Sequence, residues 1–555
     1  MTDARQQPQA AHATLERTLS GRVLIVDDEL ASRAYLRKLL MTRGCEVWEA
    51  ADGKTARAII HTNPPDLALV DVVMPGDTGY DVCQRMKADP ACRDIPVIMV
   101  TAQTGVTDVE KGFDAGAFDY IRKPFHPREL VARVRNALEL KRSNDALRLW
   151  KKKMSRELEI AGALQRKLFA TTPLLLRNFE VYVAHRPSIA VGGDVFDAIP
   201  LPDGRLCVYI GDVAGHGVAP AIVASLLKAI INDAIQNFAT EGPAAICRAV
   251  QTRFYRDVEN PEMYATLFLG ILSPQEGRWT CMNCGHPNPV LLAADQTDLS
   301  SHLSGKGDVP IGFPSPRGVA CAAKWQVQAT VQPGSRLLLC TDGPLESCQE
   351  NTTERCGETR LATLGRQVLS DPQAINPADA LFAALRQDGF PLHEDDCTVL
   401  AIEWVDPATI RLETQIPLDP VAVVAVAAQV DQLLRAEGWS LEAACAAQLV
   451  LVEHGTNIIQ HGCPPAGSTI DLRLRLTGPI CRMTLQDQGG EWNPHKRKTA
   501  AHHLRMDRKN EHTRGMGLIY TVSRAAEFFR RGHINIAFFA FSRDYCPSQE
   551  GRTES

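Results

Sequence analysis

Four apolar runs near the N-terminus end in residues able to hold a metal or a phosphoryl group. Asp27, Asp28 and Glu29 follow VLIV, Asp71 follows LALV, Thr101 follows VIMV, and Lys123 follows a run ending at Ile121. In a parallel sheet these residues stand at strand carboxyl ends, the edge where such sheets place their sites. Bunched carboxylates repel unless a hard divalent cation lies between them, and Mg²⁺ suits oxygen ligands of this kind. A cation there can bridge Asp71 to an incoming phosphoryl group while Lys123 and the Thr101 hydroxyl take up the remaining oxygens. Acidic residues also end strands as turn formers, but turns do not require complementary chemistry at four strand ends.

Four more acidic points follow: VGGD at 191–194, GDVAGHG at 211–217, TDG at 341–343 and EDDCT at 394–398. Asp-Gly is a common turn pair, so one such motif means little. Together they form a set of hard oxygen ligands beside glycines that let backbone approach an ion. Two such ions about 3.5–4 Å apart can hold a hydroxide for in-line attack on a phosphate ester. Near the C-terminus Glu453, Asn457 and His461 recur at i, i+4 and i+8, one face of an otherwise apolar helix. A solvated stripe has the same spacing. Asp487 and Gly489 end a strand, and after a basic stretch (HKRK at 495–498) Gly515 and Gly517 open a helix, a place for phosphates. A buried aspartate such as Asp487 can accept from the exocyclic amine of adenine.

The elements that must position these groups change along the 555 residues, a length that predicts three or four domains. Residues 21–125 alternate short apolar runs with helical patterns, which predicts a doubly wound parallel α/β sheet. From Pro127 to Phe169 the only Gly is Gly162, so a long helix or helix pair is expected. Leu140, Leu147, Met154, Ala161 and Leu168 recur every seven residues with Trp150 and Leu164 between them, a coiled-coil seam weakened by Ser143 and Glu157. Residues 175–405 read as α+β, with a helical block at 219–255. After 410 come a strand, helices at 421–436 and 440–461, two strands ending near Asp487, a helix from Gly515 and one more strand. Net charge is −5, which gives no global reason to expect nucleic acid or an anionic membrane, and no basic recognition helix is present. No secretory start and no apolar run of membrane length is read; the best run, Val421–Ala428, stops at Gln429. Sixteen scattered cysteines fit reduced core thiols, with Cys281 and Cys284 a lone C-x-x-C weak as a zinc site. A cytoplasmic protein is expected.

On these motifs, residues 21–140 resemble a two-component receiver domain. The resemblance implies Asp71 as phosphoacceptor, Asp27, Asp28, Asp71 and the Val73 carbonyl around Mg²⁺, Thr101 and Lys123 as switch residues, Tyr120 as a reorienting aromatic, a cis Lys123–Pro124 bond and an upstream histidine kinase. The glycine-aspartate motifs, with NCGHPNPVLL at 283–292 among them, resemble metal-dependent PPM-type serine/threonine protein phosphatases of the sporulation and stress branch. That match runs from ELEIAGALQRKLF at 157–169 to about 405. It implies an α/β sandwich holding two Mn²⁺ or Mg²⁺ ions: Asp212 bridges both with the Val213 carbonyl beside it, Asp194 serves one, and Asp342 and Asp395 the other, with Asp396 the lesser choice. VFD stands where FYD is usual, and TDGPLE where a β-branched residue is more common. Residues 410–543 are similar to anti-sigma-factor serine kinases of the GHKL ATPase superfamily, another α/β sandwich. This implies ATP with Mg²⁺, Glu453 as general base, Asn457 as Mg²⁺ ligand, Asp487 on adenine, Gly489, Gly515 and Gly517 near the phosphates, and a lid at 495–514.

The expected layout is a disordered 1–20, a receiver at 21–140, a helical linker at 141–170, a phosphatase at 171–405, a GHKL domain at 410–543 and a disordered tail at 544–555. The implied function is partner switching: receiver phosphorylation controls dephosphorylation of a STAS-type anti-sigma-factor antagonist, opposed by a C-terminal kinase. A sigma factor and a second copy, paired through the linker, are further implied partners. The alternative is a C-terminal domain that sequesters a sigma factor or antagonist without catalysis. A hybrid histidine kinase would need a phosphoacceptor histidine on a dimerising helix before 410, where the phosphatase resemblance ends instead.

Overall fold

A computed structural model of the chain describes residues 19–102, 106–169, 173–260, 262–304, 307–313, 325–349, 352–371, 374, 376–392, 395–490, 519, 522–531 and 534–544. The expected lid, Gly515, Gly517 and both tails beyond these limits lie outside the described residues. Two compact units divide after Glu157.

In the first unit, strands β1 (Arg22–Val26), β2 (Glu46–Ala50), β3 (Leu67–Asp71), β4 (Val97–Thr101) and β5 (Asp119–Arg122) form one parallel sheet in the order β2-β1-β3-β4-β5. The continuous apolar runs of β1, β3 and β4 are buried because helices cover both faces, and two separate core clusters flank the sheet. The helices are α1 (Leu30–Met41), α2 (Gly53–Thr62), α3 (Gly79–Ala88), α4 (Val106–Asp114) and the start of α5 (Pro127–Leu168), whose last residues belong to the second unit. Thr78 and Asp81 cap α3 reciprocally, which fixes where the chain after Asp71 turns back. The expected helix or helix pair is one helix of 42 residues. Its seam residues Leu140, Leu147, Trp150, Met154, Leu164 and Leu168 are all exposed.

In the second unit two antiparallel sheets share a core. One runs β13-β11-β10-β9-β8 and the other β12-β14-β15-β7-β6. Their strands are β6 (Leu174–Leu175), β7 (Phe179–Arg186), β8 (Asp194–Pro200), β9 (Leu206–Val213), β10 (Ala265–Ser273), β11 (Arg278–Cys284), β12 (Val290–Leu292), β13 (Val327–Thr330), β14 (Arg336–Cys340) and β15 (Cys397–Trp404). Helices α6 (Val218–Phe238) and α7 (Pro243–Val258) pack on the first sheet. The short α8 (Ser300–Leu303) and α9 (Gly343–Glu346) lie in connections, while α10 (Gly357–Ser370) and α11 (Pro377–Gln387) cover the second sheet. Cys281 and Cys284 are buried on β11 and are not in a disulfide. One expectation needs correction: α6 is long and apolar enough to cross a membrane by length and composition, and half of its most apolar window is buried in this fold. Lys228 and Asp233 break that run in the sequence, yet an 18-residue apolar window survives them, and Lys228 is buried against Asp197.

The last sheet, β16-β17-β18-β20-β19, is antiparallel: β16 (Ile410–Pro417), β17 (Thr469–Thr477), β18 (Ile480–Asp487), β19 (Ala525–Arg531) and β20 (Ile534–Ser542). The sequence predicts one strand after Gly515, and among the described residues there are two. Helices α12 (Pro420–Ala436) and α13 (Leu441–His461) bury their apolar sides against one face. Asp419 and Ser440 cap them. The opposite face packs Ile480, Ile536, Phe538 and Ala540 on Leu175. Beside that patch Arg475 and Arg482 are buried against Glu180 and Glu403 of β7 and β15, at 2.5 to 3.4 Å. Tyr182 Oη donates to Glu180 at 2.8 Å.

Candidate metal and nucleotide sites

The parallel sheet brings Asp27, Asp28 and Asp71 together as predicted: one ligand oxygen from each lies within 4.8 Å of the others. Lys123 Nζ donates to Asp27 Oδ2 at 2.8 Å and to Asp71 Oδ2 at 2.6 Å. Asp71 Oδ1 accepts from the Val73 N–H at 3.2 Å, Thr101 ends β4 and is buried, and the Lys123–Pro124 bond is cis. Tyr120 packs edge-on against Phe113. Burial pushes the Asp27 carboxyl up, but bonds from Lys123, Ser32 and the Glu29 N–H outweigh it and leave the group below its ordinary value. Burial of Asp71 is only partly offset by Lys123, so its carboxyl ends above the ordinary value. Lys123, for which burial works the other way, is held cationic by the two aspartates.

In the second unit, antiparallel pairing sets Asp194 directly opposite Asp212 on β8 and β9. Asp342 and Asp395 flank the ends of β14 and β15. Burial, then the charges of Asp194, Asp342, Asp395 and Asp396, push Asp212 up to about 10. Asp194, Asp342 and Asp395 are raised too, first by burial. Asp396 differs in its bonding. One of its oxygens accepts from the Ser188 N–H (2.7 Å) and hydroxyl (3.0 Å), the other from the Gly193 N–H (2.6 Å). Both oxygens are thus engaged in holding the 188–193 loop. A Cβ at Gly193 would lie 3.1 Å from both Asp212 Oδ1 and the Val213 carbonyl oxygen, so glycine keeps the approach to that pair open. Gln165, in the last turn of α5, grips the same loop: its Nε2 donates to the Gly192 carbonyl at 2.8 Å and its Oε1 accepts from the Gly192 N–H at 3.0 Å.

These donors fit hard divalent cations. All are oxygens, the strongest charges on Asp212 are those of other aspartates, and Asp194 Oδ1 is buried with no hydrogen-bond partner. Several residues around them escaped the sequence reading. Thr398 and Thr341 donate to Asp194 Oδ2 at 2.5 and 3.2 Å. His286, in the NCGHPNP run, is within 2.9 Å of Thr266 Oγ1, which accepts from the Asp212 N–H at 3.3 Å. The EDDCT motif and a histidine after an Asn-Cys-Gly turn were the available signals; the strand pairing that gives them meaning is not visible in sequence.

At the C-terminus, Glu453 and Asn457 share a half-exposed stripe of α13, and His461 ends that helix. The Gly490 N–H donates to the Gly462 carbonyl just after the helix, which draws the turn following Asp487 onto the helix end. Asp487 is buried, and its Oδ1 accepts from the Gly489 N–H at 2.7 Å and Asn535 Nδ2 at 2.9 Å. Arg530 bonds the Gly489 carbonyl at 3.1 Å and Asn535 Oδ1 at 2.8 Å. Asn535 and Arg530 were also missed: Asn535 stands opposite Asp487 only through the β18–β20 register.

Comparison with known proteins gives three matches in chain order. Residues 23–135 match the response regulator receiver domain, 202–405 the model of stage II sporulation protein E, and 416–537 the histidine kinase-like ATPase domain. The response regulator PleD of Caulobacter vibrioides is 40% identical over 148 residues, 27% of this chain and 33% of its own. The DNA-binding response regulator MtrA of Mycobacterium tuberculosis is 41% identical over 128 residues, 23% of this chain and 54% of its own. The chain thus spans between a third and about half the length of these curated relatives. Among solved structures, the RsbU and RsbW domains of a Mycobacterium tuberculosis protein are similar at 23% identity and a TM-score of 0.38, covering 68% of this chain and 96% of that one. The SiaA-PP2C domain of Pseudomonas aeruginosa is similar at 21% identity and a TM-score of 0.38, covering 46% and 98%. Three regions of the chain therefore match, in order, a response regulator receiver domain, stage II sporulation protein E and a histidine kinase-like ATPase domain.

Proposed function

We propose that this chain is a two-component response regulator whose second unit hydrolyses phosphoserine or phosphothreonine on a separate regulatory protein. The observation that carries the reading is the aspartate group around Asp212, which faces Asp194 across the β8–β9 pair and is pushed up to about 10 by burial and by its fellow aspartates. Such a group is held together at neutral pH by protons or by divalent cations, and β8, β9, β14 and β15 bring it to one place at some cost in repulsion. Asp212 and the Val213 carbonyl would hold both Mn²⁺ or Mg²⁺ ions, Asp194 one of them, and Asp342 and Asp395 the other. When bound, the ions supply an activated water and neutralise developing phosphate charge. The protein's part is to gather the carboxylates and to hold the 188–193 loop through Asp396 and Gln165.

In the receiver, Asp71 is the acceptor of a phosphoryl group from an upstream histidine kinase. Lys123 would orient the acceptor oxygen and, with Thr101, stabilise the phosphoryl oxygens, while Asp27, Asp28, Asp71 and the Val73 carbonyl would hold Mg²⁺. In the last domain Asp487, fixed by Gly489 and Asn535, presents its other oxygen to adenine. Asn457 would hold the Mg²⁺ of ATP, Gly489 would serve the phosphates, and Glu453 would be the base of a serine kinase that opposes the phosphatase; Gly515 and Gly517, expected beside the phosphates, lie outside the described residues. A STAS-type antagonist in the cytoplasm is the protein both activities share, and a sigma factor is released or bound in consequence.

The test is hydrolysis of a phosphoserine-bearing antagonist by the full chain. Mn²⁺ should support it, EDTA should stop it, and Asp212→Ala should lower it at least about a thousandfold, roughly 4 kcal/mol of transition-state stabilisation. Undiminished turnover in that variant or in EDTA would overturn the assignment.

A further inference from the structure

His185 of β7 stands opposite Thr398 of β15 in the strand register, and its Nδ1 lies 2.8 Å from Thr398 Oγ1. The single hydroxyl hydrogen of Thr398 goes to Asp194 Oδ2 at 2.5 Å. With that hydrogen committed, Thr398 Oγ1 can only accept from the ring, which fixes the imidazole as its Nδ1–H tautomer. Thr341 Oγ1 completes the arrangement: it accepts from the Thr398 N–H at 2.9 Å and reaches the same Asp194 oxygen at 3.2 Å. Asp194 therefore has one oxygen held by two hydroxyls, while Oδ1 is buried and unpartnered. An unpartnered carboxylate oxygen inside a protein is costly, and a cation is the partner this group of aspartates lacks. Burial keeps the ring neutral, down to about 4, with Asp396 opposing and Arg166 adding to the shift. The histidine therefore donates a hydrogen bond without bringing a positive charge that would repel a cation.

We propose that His185 is a positioning residue: through the Thr398 hydroxyl it locks Asp194 in the orientation that leaves Oδ1 as the donor to a divalent cation. This rests on reading the aspartate group as a metal site. Partners of metal ligands of this kind contribute about 10–100-fold in metal affinity when removed. No sequence motif identifies this residue; the β7–β15 register does.

The test is a Mn²⁺ titration followed by electron paramagnetic resonance on the full chain carrying Asp28→Asn, which removes the receiver's contribution. Thr398→Val should weaken Mn²⁺ binding about 10–100-fold, while Thr398→Ser, which keeps the hydroxyl, should stay close to the parent. His185→Leu should weaken it about tenfold. His185→Asn, whose amide N–H falls near the Nδ1 position, should recover most of the affinity, and His185→Gln, which reaches the Nε2 position, should not. Equal affinity in His185→Leu and the parent would overturn the proposal. Should the leucine variant fail to fold by circular dichroism, equal affinity in the Asn and Gln variants would overturn it. A parent chain that binds no Mn²⁺ would instead sink the metal reading itself.

Discussion

The receiver and the central region each gather aspartates at strand ends, and they handle the repulsion in opposite ways. In the receiver Lys123 stands 2.6 and 2.8 Å from two of the three carboxylates, so part of the charge is offset before any cation arrives. In the central region the nearest charges on Asp212 are four more aspartates, and the group is pushed up to about 10. A site with a built-in lysine can gain and lose its cation and its phosphoryl group cheaply, as a switch requires. One without it has carboxyls raised by burial and by one another, so bound cations would favour their ionised forms.

The largest effect that tests this contrast is the pH dependence of metal binding. Cations entering the central site must displace protons from carboxyls whose values are raised, so affinity should rise by up to about tenfold per pH unit for each proton released. Calorimetry of the Asp28→Asn chain with Mn²⁺ in buffers of different ionisation enthalpy should show release of at least one proton. Release of none at pH 7 would erase the distinction between the two clusters.

A smaller effect concerns how charge is buried. Arg482 is 3% exposed and shared between Glu180 and Glu403, whereas Arg148 of the first unit pairs with Asp94 in the open, 56% exposed. Removing one member of a buried group leaves the others unpaired, so Arg482→Met should cost about 3–5 kcal/mol in denaturant unfolding of the second unit. Arg148→Met should cost less than about 1 kcal/mol. Similar costs for both would show that the contacts of β7 and β15 with β17 and β18 contribute little.

The smallest effect is in acid. His185, His286 and His454, all in the second unit, are pushed by burial to about 4, 3 and 3. Each value is depressed on folding, so each contribution is fully present above the unfolded value near 6.5 and is lost as pH falls toward the folded value. The slope is at most about 1.4 kcal/mol per pH unit for each ring. Hydrogen exchange on the full chain, corrected for intrinsic rates, should show β7 and α13 losing protection between pH 6.5 and 5. Unchanged protection there would mean that these rings are already charged in the fold.

Much of this was legible in advance. The VLIV, LALV and VIMV runs are too short for helices and too continuous for half-buried strands, so a parallel sheet with acids at its edge was the consistent reading, and Asp27, Asp28 and Asp71 do converge. The central aspartates could be picked out because acidic motifs recur four times, three of them with glycine beside the aspartate. What was hidden depends on cross-strand register. Thr398 and His185, and Asn535 and Asp487, lie 213 and 48 residues apart in sequence and meet only through pairing. The second strand after Gly515 was hidden because AAEFFRR and INIAFFAFS lie close together and read as one apolar run. The helix Val218–Phe238 falls within the helical block expected at 219–255, but its apolar length was hidden by Lys228, whose buried partner Asp197 comes only with the fold.

The central claim is that the receiver governs the phosphatase. With ATP and the antagonist present, the full chain should be compared with and without a phosphoryl mimic on Asp71, with Asp71→Ala as control, by following the antagonist's phosphoserine over time. Receiver control predicts net dephosphorylation only in the modified wild-type chain. A response in Asp71→Ala, or faster net phosphorylation on modification, would contradict it.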